Sequence, residues 1–156
     1  MKGNAKLIET LNEILTGELT AINQYFIHAK MCENWGYHRL AKKVRDESIG
    51  EMKHADEIIE RVLFLEGVPN MQRLEKVRVG ETVHEQLKLD LKLEEVAVPR
   101  LNKAIEQAVD VGDNTTRELV AGMLKSEEEH VDWLESQLEL IEQVGDQNYL
   151  AQQIRE

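Results

Sequence analysis

The stretch Glu51-Met52-Lys53-His54 decides the fold, because its Glu-x-x-His pattern returns as Glu127-Glu128-Glu129-His130. Each copy follows an earlier glutamate, Glu18 or Glu94, at the same interval. This repetition predicts a duplicated helical hairpin that offers four carboxylates and two imidazoles. Such a set of ligands is sufficient for two metal ions.

The composition predicts an all-α protein. The chain has 156 residues, of which 42% are hydrophobic and 4% aromatic, with two prolines and nine glycines. Leu, Glu, Lys, Ala and Gln, which are good helix formers, dominate the sequence. We therefore predict a single domain over residues 1–156 with a substantial core and no sheet.

The charge balance limits the classes of partner. A net charge of −11 argues against nucleic acid, because phosphate binding requires clustered Lys and Arg. The acidity suits a protein that attracts cations, although an acidic surface that is merely well solvated explains it equally well.

Cysteine usage and the first residues bear on location. Cys32 is the only cysteine, so no disulfide can form within the chain, and we predict a cytoplasmic protein. Residues 1–4 lead directly into an amphipathic pattern, without the apolar run of a signal peptide. No membrane association is expected, since no apolar run is long enough for a span.

Glycines and capping residues divide the sequence into four long helices and one short helix. Four glycines follow segments of helical periodicity and are predicted to take a positive φ: Gly36, Gly67, Gly112 and Gly145. Three residues are predicted N-caps: Asn4, Thr82 and Thr115. The predicted helices span about residues 5–35, 38–66, 83–111 and 115–144, with a short fifth helix near 146–154.

The segment from Gly67 to Glu81 differs from the other connections. It contains Pro69 and lacks sustained periodicity, so we predict that it crosses the length of a bundle and leaves the second and third helices parallel. The other long helices are joined by short connections, which predict antiparallel hairpins. Pro99 conflicts with an uninterrupted third helix, so we expect a kink or bulge there.

Acidic residues occupy inward positions on all four predicted helices. In the first helix, Glu18 interrupts an apolar seam with Ile14 and Ile22, which lie four residues to either side. The seams of the other helices contain five further candidate ligands: Glu51, His54, Glu94, Glu127 and His130. All six lie near the middle of their helices, so we expect them in one layer of the bundle.

Metal binding explains such a layer. Buried carboxylates without partners cost several kcal/mol each, and four of them together repel one another. Divalent cations remove both penalties. A lone Glu-x-x-His is weak support, because a solvated Glu beside an incidental His is common, but two copies in the same phase are not expected by chance. The mixed oxygen and nitrogen ligands suit Fe(II), Mn(II) or Zn(II).

Tyr25 and Glu47 are secondary candidates near this layer. Tyr25 lies two turns after Glu18, where a buried phenol could donate an electron or a hydrogen bond; a tyrosine simply paired with a carboxylate is an equal alternative. Glu47 lies one turn before Glu51 and could receive an ion leaving the centre, or could reach solvent. Three histidines are predicted to lie on the surface: His28, His38 and His84.

Met52 is predicted to point away from the metal layer. It lies about 100° around the helix from Glu51, on an outer face that is expected to be apolar and to include Leu19, Phe26 and Ile49. Such a face predicts a dimer with a two-fold axis that brings two copies of Met52 together. Two thioethers could ligate one haem iron, although a methionine that fills an irregular interface is the simpler explanation.

The sequence closely resembles the bacterioferritins over its whole length. Five segments carry the resemblance: Gly17-Glu-Leu-Thr-Ala-Ile-Asn-Gln-Tyr-Phe26, Glu47-Ser-Ile-Gly-Glu-Met-Lys-His-Ala-Asp56, Ile59-Glu-Arg-Val-Leu-Phe-Leu-Glu-Gly67, Ser126-Glu-Glu-Glu-His-Val-Asp-Trp-Leu-Glu135 and Gln147-Asn-Tyr-Leu150. The resemblance implies a ferritin-like four-helix bundle with a short C-terminal helix. It also implies iron storage and a ferroxidase that oxidises Fe(II) at a di-iron centre, whose ligands match the six residues reached above.

The resemblance implies further cofactors and partners. Met52 would be the ligand of a haem b shared between two subunits. About 24 identical subunits would form a hollow shell built from dimers. A bacterioferritin-associated ferredoxin would dock on the outer surface, and some shells include a second subunit type. Members of the family can carry an inner-surface iron site, but Asp46 and Gly50 depart from its pattern here, which leaves Glu47 as the alternative route for iron.

Two other functional classes fit parts of the pattern. A different di-metal enzyme on the same bundle, such as a rubrerythrin-like peroxidase or a manganese catalase, would use similar ligands, but the chain lacks the Cys-rich module of rubrerythrins. A structural helical protein with an incidental charged seam would bind no stoichiometric metal, whereas a ferroxidase requires about two ions per chain.

Overall fold

The computed structural model describes residues 1–155, which form five α-helices and no strand. They are α1 (Ala5–Asn34), α2 (His38–Phe64), α3 (Val83–Asp110), α4 (Asn114–Val144) and α5 (Asp146–Ala151). The all-α prediction is confirmed, and the predicted helix bounds are correct to within three residues. Within residues 1–155, no helix combines the length and hydrophobicity that crossing a bilayer requires.

The four long helices pack as a bundle in which α1 contacts α2 and α3, and α3 contacts α4. Their apolar faces form two core clusters. The first core cluster is centred on residues such as Leu11, Ile58 and Val120, and the second on residues such as Leu40, Leu87 and Leu134. In every long helix the candidate ligands lie between the residues of these two clusters. The fold therefore places one polar layer between two apolar layers.

The crossover between α2 and α3 runs along α1 in the same direction as α1. The backbone N–H groups of Glu75, Arg78 and Gly80 donate, in that order, to Thr20 Oγ1 (3.0 Å), Gln24 Oε1 (3.0 Å) and His28 Nε2 (3.0 Å). These acceptors lie four residues apart, on one face of α1. Because the crossover traverses the bundle, α2 and α3 are parallel, as predicted.

His28 is buried, so its predicted surface position is wrong. Its Nε2 accepts the N–H of Gly80, which places the ring proton on Nδ1, 2.9 Å from Asp90 Oδ1. Gln24 Nε2 donates to the same carboxylate oxygen at 2.9 Å. His28 thus joins α1, α3 and the crossover, and it satisfies polar groups that would otherwise be orphaned in the core.

The helix ends agree with most of the capping predictions. Asn4 accepts from the N–H groups of Lys6 and Leu7, and Thr82 accepts from that of Glu85. The prediction for Thr115 is wrong, because Asp113 is the N-cap of α4. Its carboxylate accepts from both the N–H and the hydroxyl of Thr116 and also pairs with Arg61 on α2 at 2.8 Å, which a threonine could not do.

Two further backbone predictions concern Gly67 and Pro99. Glu66, with φ of 63°, takes the left-handed conformation that was predicted for Gly67. Gly67 is needed instead for space, since a Cβ there would lie 2.7 Å from Ile8 Cγ2. At Pro99, α3 continues as an α-helix throughout Val83–Asp110, so no bulge breaks it there, and the expected kink stays a prediction.

Candidate metal centre

The six predicted ligands come from all four long helices and meet between the two core clusters. α1 supplies Glu18 and α3 supplies Glu94, while α2 and α4 each supply a glutamate and a histidine three residues apart. Side chains at that spacing share one helix face, so both members of each pair point inward. His54 is partly exposed, and the other five residues are buried.

The ligand atoms form two overlapping groups, and the atoms of each group all lie within 4.8 Å of one another. The first group is Glu18, Glu51, His54 and Glu127, and the second is Glu94, Glu127 and His130. Glu127 belongs to both groups. The structure therefore brings all six predicted residues together, in an arrangement with room for two cations that share one carboxylate.

His54 faces three carboxylates at once. Its Nδ1 lies 3.1 Å from Glu127 Oε1, 3.7 Å from Glu51 Oε2 and 3.8 Å from Glu18 Oε2. Burial lowers the pKa of His54, but the hydrogen bond to Glu127 and the nearby carboxylate of Glu51 outweigh that effect and raise the pKa to about 10. Without metal, the imidazole is therefore a cation that neutralises part of the acidic layer.

The second group shows the cost of the buried carboxylates. Burial, followed by the neighbouring carboxyl of Glu127, raises the pKa of Glu94 to about 8. Burial also raises the pKa of Glu127. His130 Nδ1 lies 3.4 Å from Glu94 Oε1, and although burial lowers the pKa of His130, Glu94 raises it overall. Without metal ions, bound protons thus neutralise part of the negative charge of this layer.

Several buried polar atoms of the layer lack any hydrogen-bond partner. They are Glu18 Oε2, Glu94 Oε2, Glu127 Oε2 and His130 Nδ1. Buried polar groups without partners are rare and costly, and all four are atoms that can ligate a metal ion. The residues therefore fit a pair of divalent cations, since metal coordination would satisfy each orphaned atom.

Tyr25 lies directly against the second group. Its hydroxyl donates to Glu94 Oε1, and its ring meets that of His130 edge-on, with centroids 5.2 Å apart and planes at 85°. Burial, together with the charges of Glu94 and Asp90, raises the pKa of Tyr25 well above its usual value. The phenol therefore stays protonated and orients the Glu94 carboxylate.

Glu47 lies on the other side of His130, at the edge of the layer. Its Oε2 is 3.7 Å from His130 Nδ1, and its Oε1 accepts from Lys43 Nζ at 2.8 Å. Trp133 stacks on His130, and the Lys43 ammonium lies 5.1 Å from the centre of the Trp133 ring. A partly exposed carboxylate thus stands next to a buried candidate ligand.

Met52 is not part of the metal layer. It is 54% exposed on the outer face of α2, as its position relative to Glu51 predicts. Phe26 of α1 and Ile49 of α2 are also exposed, and Leu19 and Ile59 are only partly buried. These exposed and partly buried apolar residues of α1 and α2 are consistent with the predicted dimer face.

Two residues near the centre were not found from the sequence. Glu75 of the crossover and Arg100 of α3 line the same narrow cavity as four of the predicted ligands. Hydrogen bonding from Arg100 lowers the pKa of Glu75, which is therefore ionised. The sequence pattern could not predict this pair, because the crossover has no periodicity that relates it to a helix face.

The sequence is similar to known proteins over most of its length. The family profile described as the ferritin-like domain matches residues 8–144. A bacterioferritin of Mycobacterium tuberculosis is 46% identical over 152 residues, which cover 97% of this chain and 96% of the relative. A bacterioferritin of Streptomyces coelicolor is 47% identical over 151 residues, with coverage of 97% and 90%.

A relative from a third bacterial genus agrees with these two. The bacterioferritin of Rhodobacter capsulatus is 46% identical over 149 residues, which cover 96% of this chain and 92% of the relative. Identity at this level over nearly the full length of both chains shows common family membership. With a four-helix bundle that gathers the repeated Glu-x-x-His pattern into one buried layer, this chain belongs to the bacterioferritins, within the ferritin-like family.

Proposed function

We propose that this chain is an iron-storage ferroxidase. It binds two Fe(II) ions at the six-residue centre, oxidises them with O₂ or H₂O₂, and releases Fe(III) as mineral into a hollow shell. Iron storage is the function that membership in the bacterioferritin family supports. The observation that carries the oxidation step is the position of Glu127, because a carboxylate common to both groups can hold two ions close together.

The charges of the centre suit this reaction. When metal ions displace the bound protons of the centre, four ionised carboxylates and two neutral imidazoles offer four negative charges to two Fe(II) ions. Oxidation by O₂ moves two electrons and consumes two protons, giving two Fe(III) and one H₂O₂. With H₂O₂ as the oxidant, two electrons and two protons give two Fe(III) and two H₂O. Hard carboxylate oxygens favour the ferric product by charge.

The residues around the ligands have separate roles. Tyr25 fixes the orientation of Glu94 by its hydrogen bond, and its phenol is also close enough to supply an electron. Glu47 provides a carboxylate beside His130, through which ferric iron can leave the centre. This route takes the place of an inner-surface site, for which Asp46 and Gly50 lack the family's pattern.

We also propose that two copies of the chain share one haem b through Met52. The exposed thioether on the predicted dimer face is the feature that suits such a site, because a two-fold axis would supply two equal ligands. When bound, haem supplies electron transfer. A bacterioferritin-associated ferredoxin would be its reductant, in a cytoplasmic shell of about 24 subunits that can include a second subunit type.

The proposed function is tested by iron titration of the purified protein. Anaerobic Fe(II) addition followed by O₂ should give rapid oxidation that saturates at about two Fe(II) per chain, and further additions should accumulate as soluble ferric mineral inside a large assembly. Rapid H₂O₂ turnover without iron accumulation would instead support a peroxidase or catalase. A monomer that binds no iron would contradict storage.

A further inference from the structure

A narrow cavity adjoins the candidate metal centre and is lined by both buried and partly exposed residues. Its volume of about 20 Å³ is enough for about one water molecule. It lies between α1 and α3, under the crossover. The polar residues that line it are four predicted ligands and two residues at its outer end: Glu18, Glu51, Glu94, Glu127, Glu75 and Arg100.

An ion pair closes the outer end of this cavity. Arg100 Nη1 and Nη2 donate to Glu75 Oε1 and Oε2 at 2.7 and 2.6 Å, so the contact is bidentate. The side chains are 36% exposed for Glu75 and 25% exposed for Arg100. Because both side chains are partly exposed, water can replace these hydrogen bonds when the pair opens.

The same pair also forms the floor of a depression on the outside. This surface depression has a volume of about 240 Å³ and is lined by Glu13, Thr16, Arg73, Glu75 and Arg100. Glu75 and Arg100 are thus the two charged side chains common to the inner cavity and the outer depression. The side chains of Glu75 and Arg100 therefore lie between the outer depression and the inner cavity.

The backbone of the crossover does not have to move for the pair to open. The N–H of Glu75 donates to Thr20 Oγ1 at 3.0 Å, which holds the chain to α1 while the carboxylate rotates. On the opposite wall, Gly17 leaves the space that the guanidinium uses. A Cβ at Gly17 would lie 2.9 Å from Arg100 Nη1, so any larger residue would displace the arginine.

We propose that the Glu75–Arg100 ion pair is a gate on a cation path from the outer depression to the candidate metal centre. In the closed state the guanidinium blocks the path and repels cations. When the pair opens, Glu75 receives the cation and passes it inward toward the four carboxylates at the inner end. This inference rests on the proposed function, since it presumes that the six-residue centre binds divalent cations.

The test measures Co(II) binding by the assembled protein, with stopped-flow detection of the Co(II) visible absorbance. Arg100→Gln removes the block and should raise the association rate about fivefold or more, because the mouth also loses a positive charge. Gly17→Ala keeps every charge but displaces the guanidinium of Arg100, so it should also raise the association rate. Alanine in place of a mid-helix glycine also favours α1, so folding is preserved.

The two members of the pair should have opposite effects. Glu75→Gln leaves Arg100 without its counter-ion and removes the receiving carboxylate, so the association rate should fall about fivefold. If the pair merely held the crossover in place, Arg100→Gln and Glu75→Gln would change the association rate in the same direction. The matched control is Lys103→Gln, which removes a positive charge from α3 one turn after Arg100. Lys103 pairs only loosely with Glu13, at 3.9 Å. The association rate of Lys103→Gln should therefore stay within about twofold of the wild-type rate.

The outcomes separate the gate from the proposed function. Equal rates for wild type, Arg100→Gln and Gly17→Ala would overturn the gate, as would a rise in Lys103→Gln equal to that in Arg100→Gln. A rise in Glu75→Gln would overturn the role of Glu75 as the receiving carboxylate. The proposed function is judged by the equilibrium endpoint, because fewer than about two Co(II) per chain, or full binding in Glu18→Ala, would contradict the centre whatever the rates.

Discussion

His54 Nδ1 of α2 lies 3.1 Å from Glu127 Oε1 of α4, so the histidine of one Glu-x-x-His copy contacts the glutamate of the other. This contact crosses between the two hairpins. It joins the two copies in one cluster of candidate ligands, in which atoms of Glu127 also lie within 4.8 Å of Glu94 and His130. Removing a ligand from either copy is therefore expected to affect the whole centre.

We predict that Glu18→Ala and His130→Ala each abolish rapid Fe(II) oxidation while the protein remains folded and assembled. Each change removes a ligand without breaking a helix. Stopped-flow absorbance at about two Fe(II) per chain measures the loss. Glu129→Ala, an exposed neighbour of His130 on α4, is the matched control and should retain the wild-type rate. Unchanged fast oxidation in both ligand variants would place the centre elsewhere.

The metal-free protein should become less stable as the pH rises. The pKa of His54 is raised to about 10, so the stability it contributes is full below about pH 6.5 and is lost as the pH rises through 10. The pKa of Glu94 is raised to about 8, so the folded state favours its protonated form and loses that advantage between about pH 4.5 and 8. Both effects lower the free energy of unfolding of the metal-free protein as the pH rises.

Thermal unfolding of the metal-free protein between pH 5 and 9 tests this dependence. The Tm of the wild type should fall by several degrees over this range, and Glu94→Gln, which cannot ionise, should flatten the curve. Glu18→Ala should raise the Tm at pH 8, because it relieves repulsion in the acidic layer. Added Co(II) should remove most of the decline. A Tm that rises with pH in the metal-free wild type would contradict this account.

The sequence predicts the bundle and its polar layer well for a physical reason. In a helix, the spacing of residues along the sequence sets the direction in which each side chain points. An acid that keeps the spacing of the apolar residues, such as Glu18 or Glu127, must therefore face the core. The sequence predicts contacts outside the helices poorly. The burial of His28 depends on where the crossover places the N–H of Gly80, and the pairing of Glu75 with Arg100 depends on the path of an aperiodic segment. No spacing rule describes either contact.

We predict that His28→Leu destabilises the protein by about 3 kcal/mol, because it leaves the buried N–H of Gly80 without an acceptor and takes one of two hydrogen-bond donors from the buried Asp90 carboxylate. Urea denaturation measures the change. His38→Leu is the control: His38 pairs with Glu33 at the surface, at 3.2 Å, and its loss should change stability by less than about 0.5 kcal/mol. Equal effects of the two variants would contradict a structural role for His28.

Met52 exposes its thioether on the outer face of α2, while the candidate metal layer lies inside the bundle. Met52→Leu conserves the volume and apolar character of the predicted dimer face, so dimers should persist at small cost. Haem iron coordination should be lost, because leucine has no ligating atom. Fe(II) oxidation should proceed normally, since Met52 belongs to neither ligand group, whereas reductive release of stored iron should slow. Met71→Leu, a methionine of similar exposure (52%) on the crossover, is the matched control and should keep the haem spectrum. A low-spin bis-thioether spectrum in Met52→Leu would refute the haem assignment, and iron release at the wild-type rate would refute the electron-transfer role even if haem were absent.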